Sequence, residues 1–399
     1  MNLKFIALIT LLLSRTIIQT SDAMDNLEDE SSTDDFIHLC SDITRPNVKK
    51  GVSWLPDDIS MSHIFLVGAH NSPFSKERGW CYAQQLSGLT KQWDAGIRAF
   101  KTPIRYYQRY KNQSYDNYYM GAPEGEPQLV LTHETIKGNN SWTSRIQKGS
   151  ITQNPSDCPL DYFKELKDLL DNNPSEVCIV ILETHNMIPS EATNTSTYSD
   201  EKMKQDLRSL LTNSGLSTYA CKLILTPGQN WPTLGNLRNS GKRLIIMSTN
   251  LKLDMELTNP STLYCESDYK TYNINNINLR LEANKGKGIG EECFSILNNF
   301  DQASLWRNDF YQNINSHNHL MTRTKLYQKT YGRLGYQANI CLLDYAEIGD
   351  ATVVAQDINQ ERLNMLQEII ILRNIIDKIN FNLDSDLDLS FYSILPLNQ

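Results

Sequence analysis

The chain alternates short apolar runs with longer amphipathic stretches over most of its 399 residues. Several of the apolar runs are continuous Val/Ile/Leu segments, which is typical of parallel strands buried on both faces. The stretches between them have the pattern of surface helices. This alternation constrains the fold to an α/β architecture with a mostly parallel sheet. We predict strands over eight segments: Ile64–Ala69, Ile97–Ile104, Leu129–Leu131, Val177–Leu182, Lys222–Leu225, Arg243–Met247, Cys293–Leu297 and Ile340–Leu343.

Eight strands separated by helices or long loops predict a distorted TIM-type (β/α)8 barrel in a single domain. A doubly wound open sheet is the alternative that the same alternation allows. The last predicted helix is rich in Ile and Leu, and we expect it to cover the barrel. The predicted helices are Gln84–Ala95, Pro159–Asp171, Asp200–Ser214 and Glu361–Asn380.

The amino-terminal residues are typical of a secreted protein. Residues 1–23 combine a positive charge at Lys4, a short apolar run and small residues at a cleavage point, as a signal peptide does. Residues 24–50 form an acidic leader and entry segment, and residues 51–399 form the predicted barrel with its carboxyl-terminal helix. We therefore expect the mature protein to be extracellular.

A secreted chain permits disulfide bonds and glycosylation. All 8 cysteines follow residue 23, although their spacing does not fix a pairing. Cys178 and Cys341 lie inside apolar runs, where buried free thiols are the alternative. Asn112, Asn139 and Asn194 begin glycosylation sequons in polar stretches, so we predict a glycoprotein.

The net charge of −8 limits the partners that the chain can have. An acidic protein has no broad positive field for nucleic acid or for an anionic membrane, so we expect no nucleic-acid partner. Any peripheral membrane contact would have to be local. The tyrosine-rich stretch that follows the second predicted strand could meet a lipid headgroup, but loop packing explains it better.

Ionisable side chains follow four of the predicted strands at the point where each strand ends. His70 follows the first strand, His133 the third and Asp344 the eighth, while Glu183 follows the apolar part of the fourth. Active sites of α/β barrels are built from the carboxyl ends of the strands and the loops that follow them. We therefore predict that these side chains form one site.

Two histidines at such a site favour general acid–base chemistry. Imidazole titrates near neutral pH, so one ring can accept a proton while the other donates one. Cleavage of a phosphodiester needs such a pair, together with positive charge beside the non-bridging phosphate oxygens. The pattern predicts His70 and His133 as the catalytic pair, with a structural role for each as the alternative.

Several segments resemble the X-domain of phosphatidylinositol-specific phospholipase C, and most closely the secreted eukaryotic branch of PLC-like phosphodiesterases. GAHNSPF, followed by Gln85-Leu86 and WDAGIRAF, resembles the start of that domain. LTHETI resembles its second-histidine segment, and WPTLGNLRNSGKRLIIM a block typical of the branch. NNPSEVCIVILETHN, FSILNNFD and NICLLDYAEIGD resemble later strands, so the likeness spans about residues 60–360.

The resemblance implies a distorted α/β barrel that cleaves an inositol lipid or a related phosphodiester. It implies His70 as general base and His133 as general acid or phosphate ligand. Asn71 and Glu183 match metal ligands of calcium-using relatives. Asp344 falls on an acid of the last strand, and we expect it to orient His70.

The second predicted strand departs from the family. Lys101 and Pro103 stand where relatives carry an acid or a glutamine and, in metal-free bacterial members, an arginine. Calcium binds poorly where a carboxylate is missing. We therefore expect either no required cofactor, with Lys101 or Arg105 supplying the positive charge, or a residual Ca²⁺ site. Arg98 is a candidate phosphate ligand, and the alternative for it is a salt-bridged barrel residue.

Three other functions fit parts of the sequence. The lysine at the usual acid position is also what a catalytically degenerate binding protein on the same barrel would carry. A magnesium-dependent histidine-pair barrel enzyme needs paired acids on the second strand, which the chain lacks there. A structural secreted glycoprotein leaves the polar strand ends unexplained.

Overall fold

The computed structural model of the chain describes residues 47–77, 83–110, 123–131, 159–186, 200–223, 231–248, 264–266, 294–300, 313–331 and 338–382. All of these residues belong to one compact unit, residues 47–399. The predicted signal peptide, residues 24–46 of the leader and the three sequons lie outside the described residues.

The described residues contain nine strands. Eight of them pair in parallel, in the order β5-β6-β4-β2-β1-β9-β8-β7. The strands are β1 Leu66–Ala69, β2 Ala99–Tyr110, β3 Pro123–Leu131, β4 Cys178–Asn186, β5 Ala220–Cys221, β6 Leu244–Ser248, β7 Tyr264–Glu266, β8 Phe294–Asn299 and β9 Ala338–Leu343.

The strand order is that of a barrel and not of a doubly wound sheet. From β1 the sheet follows the chain forward through β2, β4 and β6, and backward through β9, β8 and β7. The first and last strands pair in parallel, from Leu66 with Ile340 to Ala69 with Leu343. In a doubly wound sheet the last strand lies at an edge. Within the described residues the ring is open between β5 and β7, so the predicted barrel is confirmed in a distorted form.

Three strand predictions need correction. The run Lys222–Leu225 was placed too late in the chain, because the strand found there is β5, Ala220–Cys221. The run Leu129–Leu131 belongs to β3, which pairs antiparallel with β2 as an addition to the ring. The eighth parallel strand is β7, Tyr264–Glu266, which the sequence analysis missed. An apolar run looks the same in a hairpin and in a parallel sheet, and three residues are too few to show a period.

The period-two alternation of the strands divides the apolar residues into an inner and an outer core. Leu66, Ile181 and Leu342 belong to the inner core. Gly68 also faces inward, because a Cβ added there would lie 2.6 Å from Cδ2 of Leu342. The outer core joins the other faces of the strands to the helices.

The residues that the structure describes form six α-helices, which flank the strands. They are α1 Leu89–Asp94, α2 Pro159–Asn172, α3 Asp200–Asn213, α4 Leu234–Ser240, α5 His317–Tyr331 and α6 Ala351–Asn382. Their existence agrees with the amphipathic pattern for α2 and α3, and Gly215 follows α3 with φ 80°, as a stop signal should. No helix in the described part of the chain combines the length and the apolar character that a membrane span requires.

The carboxyl-terminal helix covers the barrel only in part. Helix α6 begins ten residues before the predicted start, and Val354 and Ile358 on its first turns pack into the outer core. Further along, Met365, Ile370 and Ile371 are each more than half exposed. The expectation that the Ile- and Leu-rich stretch covers the barrel is therefore wrong for this second part.

Cys178 and Cys341 are buried and form no disulfide bond with any of the residues that the structure describes. Burial raises the pKa of the Cys178 and Cys341 thiols to about 12 each. These two cysteines are therefore the inert buried thiols that the apolar runs allowed. Apart from Cys221 on β5, the remaining cysteines lie outside the residues whose side chains the structure describes.

Candidate active site

Four of the predicted site residues meet at the carboxyl end of the barrel. The parallel registers of β1 with β2 and with β9 set His70, Lys101 and Asp344 at one level. Each of the three lies two residues after an inward-facing residue of its own strand, and Glu183 lies two residues after one on β4. Because side chains alternate along a strand, all four face into the mouth of the barrel. Residues 31 to 274 positions apart in the chain are thus brought together.

His70 and Asp344 form a buried pair. Nδ1 of His70 lies 2.8 Å from Oδ1 of Asp344, and the two side chains are only 7% and 6% exposed. An ionised carboxylate only accepts hydrogen bonds, so the imidazole carries its proton on Nδ1. In the neutral ring this leaves Nε2 as the basic nitrogen. Asp344 therefore orients His70, as the sequence analysis predicts.

The plane of the imidazole is fixed by Phe300, at the end of β8. The two rings are stacked, with centroids 3.7 Å apart and an interplanar angle of 3°. Stacking restricts rotation of the imidazole about the Cβ–Cγ bond of His70. The contact with Asp344 determines which edge of the ring points to the carboxylate. No sequence pattern marks Phe300 as a site residue, because an aromatic residue after an apolar strand is usually part of the hydrophobic core.

Lys101 lies inside the barrel and not at its surface. Its side chain is 1% exposed, and Nζ is 3.8 Å from Oε2 of Glu183, which is 22% exposed. A buried ammonium is costly unless a negative charge is near it. The structure thus places a fixed positive charge at the level of His70, and the alternative of a solvent-facing lysine is excluded.

Asn71 occupies a strained position beside His70. Its backbone has φ 52°, in the left-handed region that non-glycine residues seldom adopt. Its side chain is fully buried, and neither the amide oxygen nor the amide nitrogen has a hydrogen-bond partner. Such a buried polar group costs free energy unless a ligand or water satisfies it. An unpartnered amide at this position is compatible with the predicted substrate-binding or metal-binding role of Asn71, which stays a prediction.

The described residues do not fit a calcium site. Calcium takes six to eight oxygen ligands, several of them carboxylates. Of the two predicted ligands, Glu183 faces the Lys101 ammonium, and Asn71 offers one neutral oxygen. The described residues contain no group of three or more His, Cys, Asp or Glu side chains that could hold a metal. A lysine ammonium in contact with the acid competes directly with a metal ion.

Arg98 is not at this site. It precedes β2, at the amino end of the barrel, and its Nε donates to Oε2 of Glu176 at 2.9 Å. Its Nη1 donates to the carbonyls of Trp93 and Ile97. The predicted role of Arg98 in binding phosphate is wrong because its described hydrogen bonds are all internal and at the wrong end. The alternative, a salt-bridged barrel residue, is what the structure shows.

Two predicted residues fall where the structure gives no side-chain contacts. The backbone of Arg105 lies in β2, opposite Val130 of β3, and its side chain is not described. His133 lies outside the described residues, two positions after the end of β3 at Leu131. Leu131 pairs with Ile104, three residues after Lys101. Strand β3 thus returns the chain to the same end of the barrel.

A buried glutamine that the sequence analysis did not place in the site holds the two strand ends. Nε2 of Gln85 donates to the carbonyl oxygens of His70, at 2.6 Å, and Leu343, at 2.9 Å. Its Oε1 accepts from the backbone N–H of Ala346. The sequence placed Gln85 at the start of a predicted helix, but helix α1 begins only at Leu89.

The fold and this geometry define an α/β barrel with a histidine–aspartate pair and a buried lysine at its mouth. The family model described as PI-PLC X 1 matches residues 147–359, which is more than half of the chain. The chain belongs to the PI-PLC X family. The matched span includes Glu183 and Asp344 and begins after His70 and Lys101, so it is shorter than the resemblance at about 60–360.

Solved structures of phosphatidylinositol-specific phospholipases C are similar to this chain. The phosphatidylinositol-specific phospholipase C from Listeria monocytogenes has 16% identity and a TM-score of 0.45, over 78% of this chain and 97% of that chain. A mutant of the phosphatidylinositol-specific phospholipase C from Staphylococcus aureus has 16% identity and a TM-score of 0.40, over 78% and 96%. No curated protein matches.

Proposed function

We propose that the chain is a secreted phosphoric diester hydrolase of the phospholipase C-like class, which cleaves an inositol phospholipid or a related phosphodiester. The observation that carries the proposal is the buried His70–Asp344 pair at the level of the Lys101 ammonium. A base and a fixed positive charge at one barrel mouth are what attack on a phosphodiester requires.

In the proposed reaction Nε2 of His70 removes the proton from the attacking hydroxyl. In an inositol lipid this is the hydroxyl next to the phosphate, and its oxygen forms a bond to phosphorus. Asp344 stabilises the imidazolium that results, since its carboxylate lies 2.8 Å from Nδ1. The histidine then holds the proton at a site where a later step can return it.

Lys101 stabilises the negative charge that builds up on the phosphate oxygens. Its ammonium is buried, so its field is screened less than that of a surface lysine. The Asn71 amide nitrogen is a second donor available to the same oxygens. Arg105 is the further cation on β2 that we propose near the phosphate. No step needs a metal.

The bond from phosphorus to the leaving oxygen breaks as that oxygen takes a proton from His133. This assignment is supported by the position of His133 in the sequence, two residues after β3 returns to the mouth beside β2. Peripheral contact with a membrane would bring the headgroup to the barrel mouth.

A catalytically degenerate binding protein is the second candidate. It is favoured by the family match, which begins at residue 147 and leaves out residues 1–146, the part of the chain that carries His70 and Lys101. Such a protein would bind the headgroup without splitting the diester. The two candidates therefore differ in turnover and not in binding.

An assay on lipid substrates separates them. Protein lacking residues 1–23 would be incubated with phosphatidylinositol and with a glycosylphosphatidylinositol lipid, with and without a calcium chelator. We expect release of diacylglycerol from at least one lipid, at a rate that the chelator leaves unchanged. Binding without release would support the degenerate protein, and complete loss on chelation would contradict the role of Lys101.

A further inference from the structure

The sheet ends abruptly at the His70–Asp344 pair. Strands β1 and β9 run parallel, and the N–H of His70 donates to the carbonyl of Leu343 at 2.8 Å. In a regular parallel ladder the next bond would run from the N–H of Tyr345 to the carbonyl of His70. That bond is not made, because the N–H of Tyr345 donates to the carbonyl of Gln84 instead.

The backbone turns away from the ladder on both strands at this level. Tyr345, directly after Asp344, has φ 50°, and Asn71, directly after His70, has φ 52°. These are two of the three non-glycine residues with positive φ among the described residues. A tyrosine in the left-handed region is strained, and this conformation persists only where its surroundings hold it. The residues next to the pair are therefore held in place by other contacts.

Gln85 supplies the contact that the ladder lacks. Its Nε2 donates to the carbonyl of His70, where the N–H of Tyr345 would otherwise bind, and also to the carbonyl of Leu343. Its Oε1 accepts from the N–H of Ala346, beyond the turn. One fully buried side-chain amide thus ends the β1–β9 ladder and ties both strand ends together.

We propose that Gln85 is a positioning residue for the His70–Asp344 pair. Its amide replaces the next backbone N–H of the ladder, so the chain can turn away after Asp344 while the carbonyl of His70 stays bonded. Without the Gln85 amide, one hydrogen bond fewer would hold the two strand ends in their relative position. The 2.8 Å contact between the imidazole and the carboxylate depends on that position. The catalytic part of this inference rests on the proposed function.

Gln85→Leu removes all three hydrogen bonds at nearly constant volume, and Gln85→Glu keeps the acceptor while replacing the donating amide. We expect either variant to lower kcat by about 10- to 100-fold, since small misplacements of catalytic groups have effects of that size. KM should change less than about twofold, because Gln85 lies behind the pair and does not face the mouth.

Asn359→Leu is the matched control. Asn359 is also a buried amide bonded to the backbone, since it accepts from the N–H of Phe65, the residue just before β1, and donates to the carbonyl of the same residue. It lies at the opposite end of the strand. We expect it to lower the melting temperature as Gln85→Leu does, and to leave kcat unchanged. Equal losses of kcat in the two variants would overturn the proposal.

A second readout does not need turnover. A proton on Nδ1 of His70 that is bonded to a carboxylate gives a far-downfield proton resonance in NMR spectra. We expect this resonance in the wild type and in Asn359→Leu, and its loss or displacement in folded Gln85→Glu. If it is unchanged in Gln85→Glu, the positioning role is wrong, whatever the substrate. If the resonance changes as expected but the wild type shows no turnover, the proposed function fails and the positioning role stands.

Discussion

At the residue scale, the candidate site rests on three buried polar side chains that a barrel interior would not hold without a reason. The residues His70, Lys101 and Asp344 are all buried. Burying an ionisable group costs several kcal/mol unless partners offset the loss of water. The 2.8 Å contact between His70 and Asp344 offsets part of this cost for both residues, and the Glu183 carboxylate offsets part of the cost for Lys101.

The charge of Lys101 can be tested by its removal. Lys101→Met keeps the length of the side chain and removes the ammonium. We expect kcat to fall by about 10²- to 10³-fold, because one electrostatic contact to the transition state is lost. Lys91→Met is the control, since the Lys91 side chain is 66% exposed and pairs with Glu77 at the surface. Unchanged kcat in Lys101→Met would rule out its proposed role.

The sequence predicted the members of the site better than their support. His70 and Asp344 follow apolar runs, and parallel strands bring such ends together whatever the loops do. Lys101 was singled out by the resemblance, as a departure from the family on the second predicted strand. Gln85 and Phe300 act through long-range contacts, with partners up to 261 positions away in the case of Gln85. No local pattern marks such a contact. Arg98 was misplaced because it lies three residues before Lys101, at the amino end of β2 and not at the mouth of the barrel.

At the element scale, the amino end of the barrel is closed by one buried ion pair. Glu176, just before β4, accepts from Arg98 and from the N–H groups of Val52 and Ser53. Arg98 in turn lies over the ring of Trp93, 3.9 Å from its centroid. The pair thus links β2, β4 and the entry segment at the end opposite the site.

This pair predicts a dependence of stability on pH. Burial raises the pKa of Glu176, but the charge of Arg98 and the hydrogen bonds outweigh it, so the pKa lies below its ordinary 4.5. A lowered pKa gives stability that is present above the unfolded value and lost as the pH falls through the folded value. Glu176→Gln should cost about 3 kcal/mol at neutral pH, because Arg98 stays buried without its partner.

Urea denaturation of both proteins checks this at several pH values. The difference in the free energy of unfolding should be constant above about pH 5 and shrink as the pH falls below 4.5. Asp57→Asn is the control, because the Asp57 side chain is 67% exposed in its pair with Arg238. A difference that stays the same down to pH 3 would contradict the role of the Glu176 charge.

The element boundaries show where the alternation of apolar and amphipathic segments is informative. Strands β4 and β9 and helices α2 and α3 were predicted closely, since their apolar positions are buried by the barrel itself. Helix α1 is shorter than predicted, because residues 83–88 instead bind the turn after β9. Tertiary contacts override helix propensity there.

At the scale of the whole molecule, contacts that stabilise the barrel lie at its amino end, and the candidate active site lies at its carboxyl end. The amino end is closed by the Arg98–Glu176 pair and by Trp231 packed on Phe294, with ring centroids 3.9 Å apart. The carboxyl end carries polar groups, among them the unpartnered amide of Asn71. The positive charge of Lys101 at the mouth explains how an acidic chain could bind a phosphodiester there.

The central claim is that His70 is the base of a phosphodiesterase, and the most direct measurement is the rate at which His70→Ala cleaves the diester that the wild type cleaves. His317→Ala is the matched control, because His317 also lies 2.8 Å from a carboxylate, that of Asp357, but in the helical layer. We predict a loss of about 10²- to 10⁴-fold for His70→Ala and none for His317→Ala. Full activity of folded His70→Ala would contradict the account.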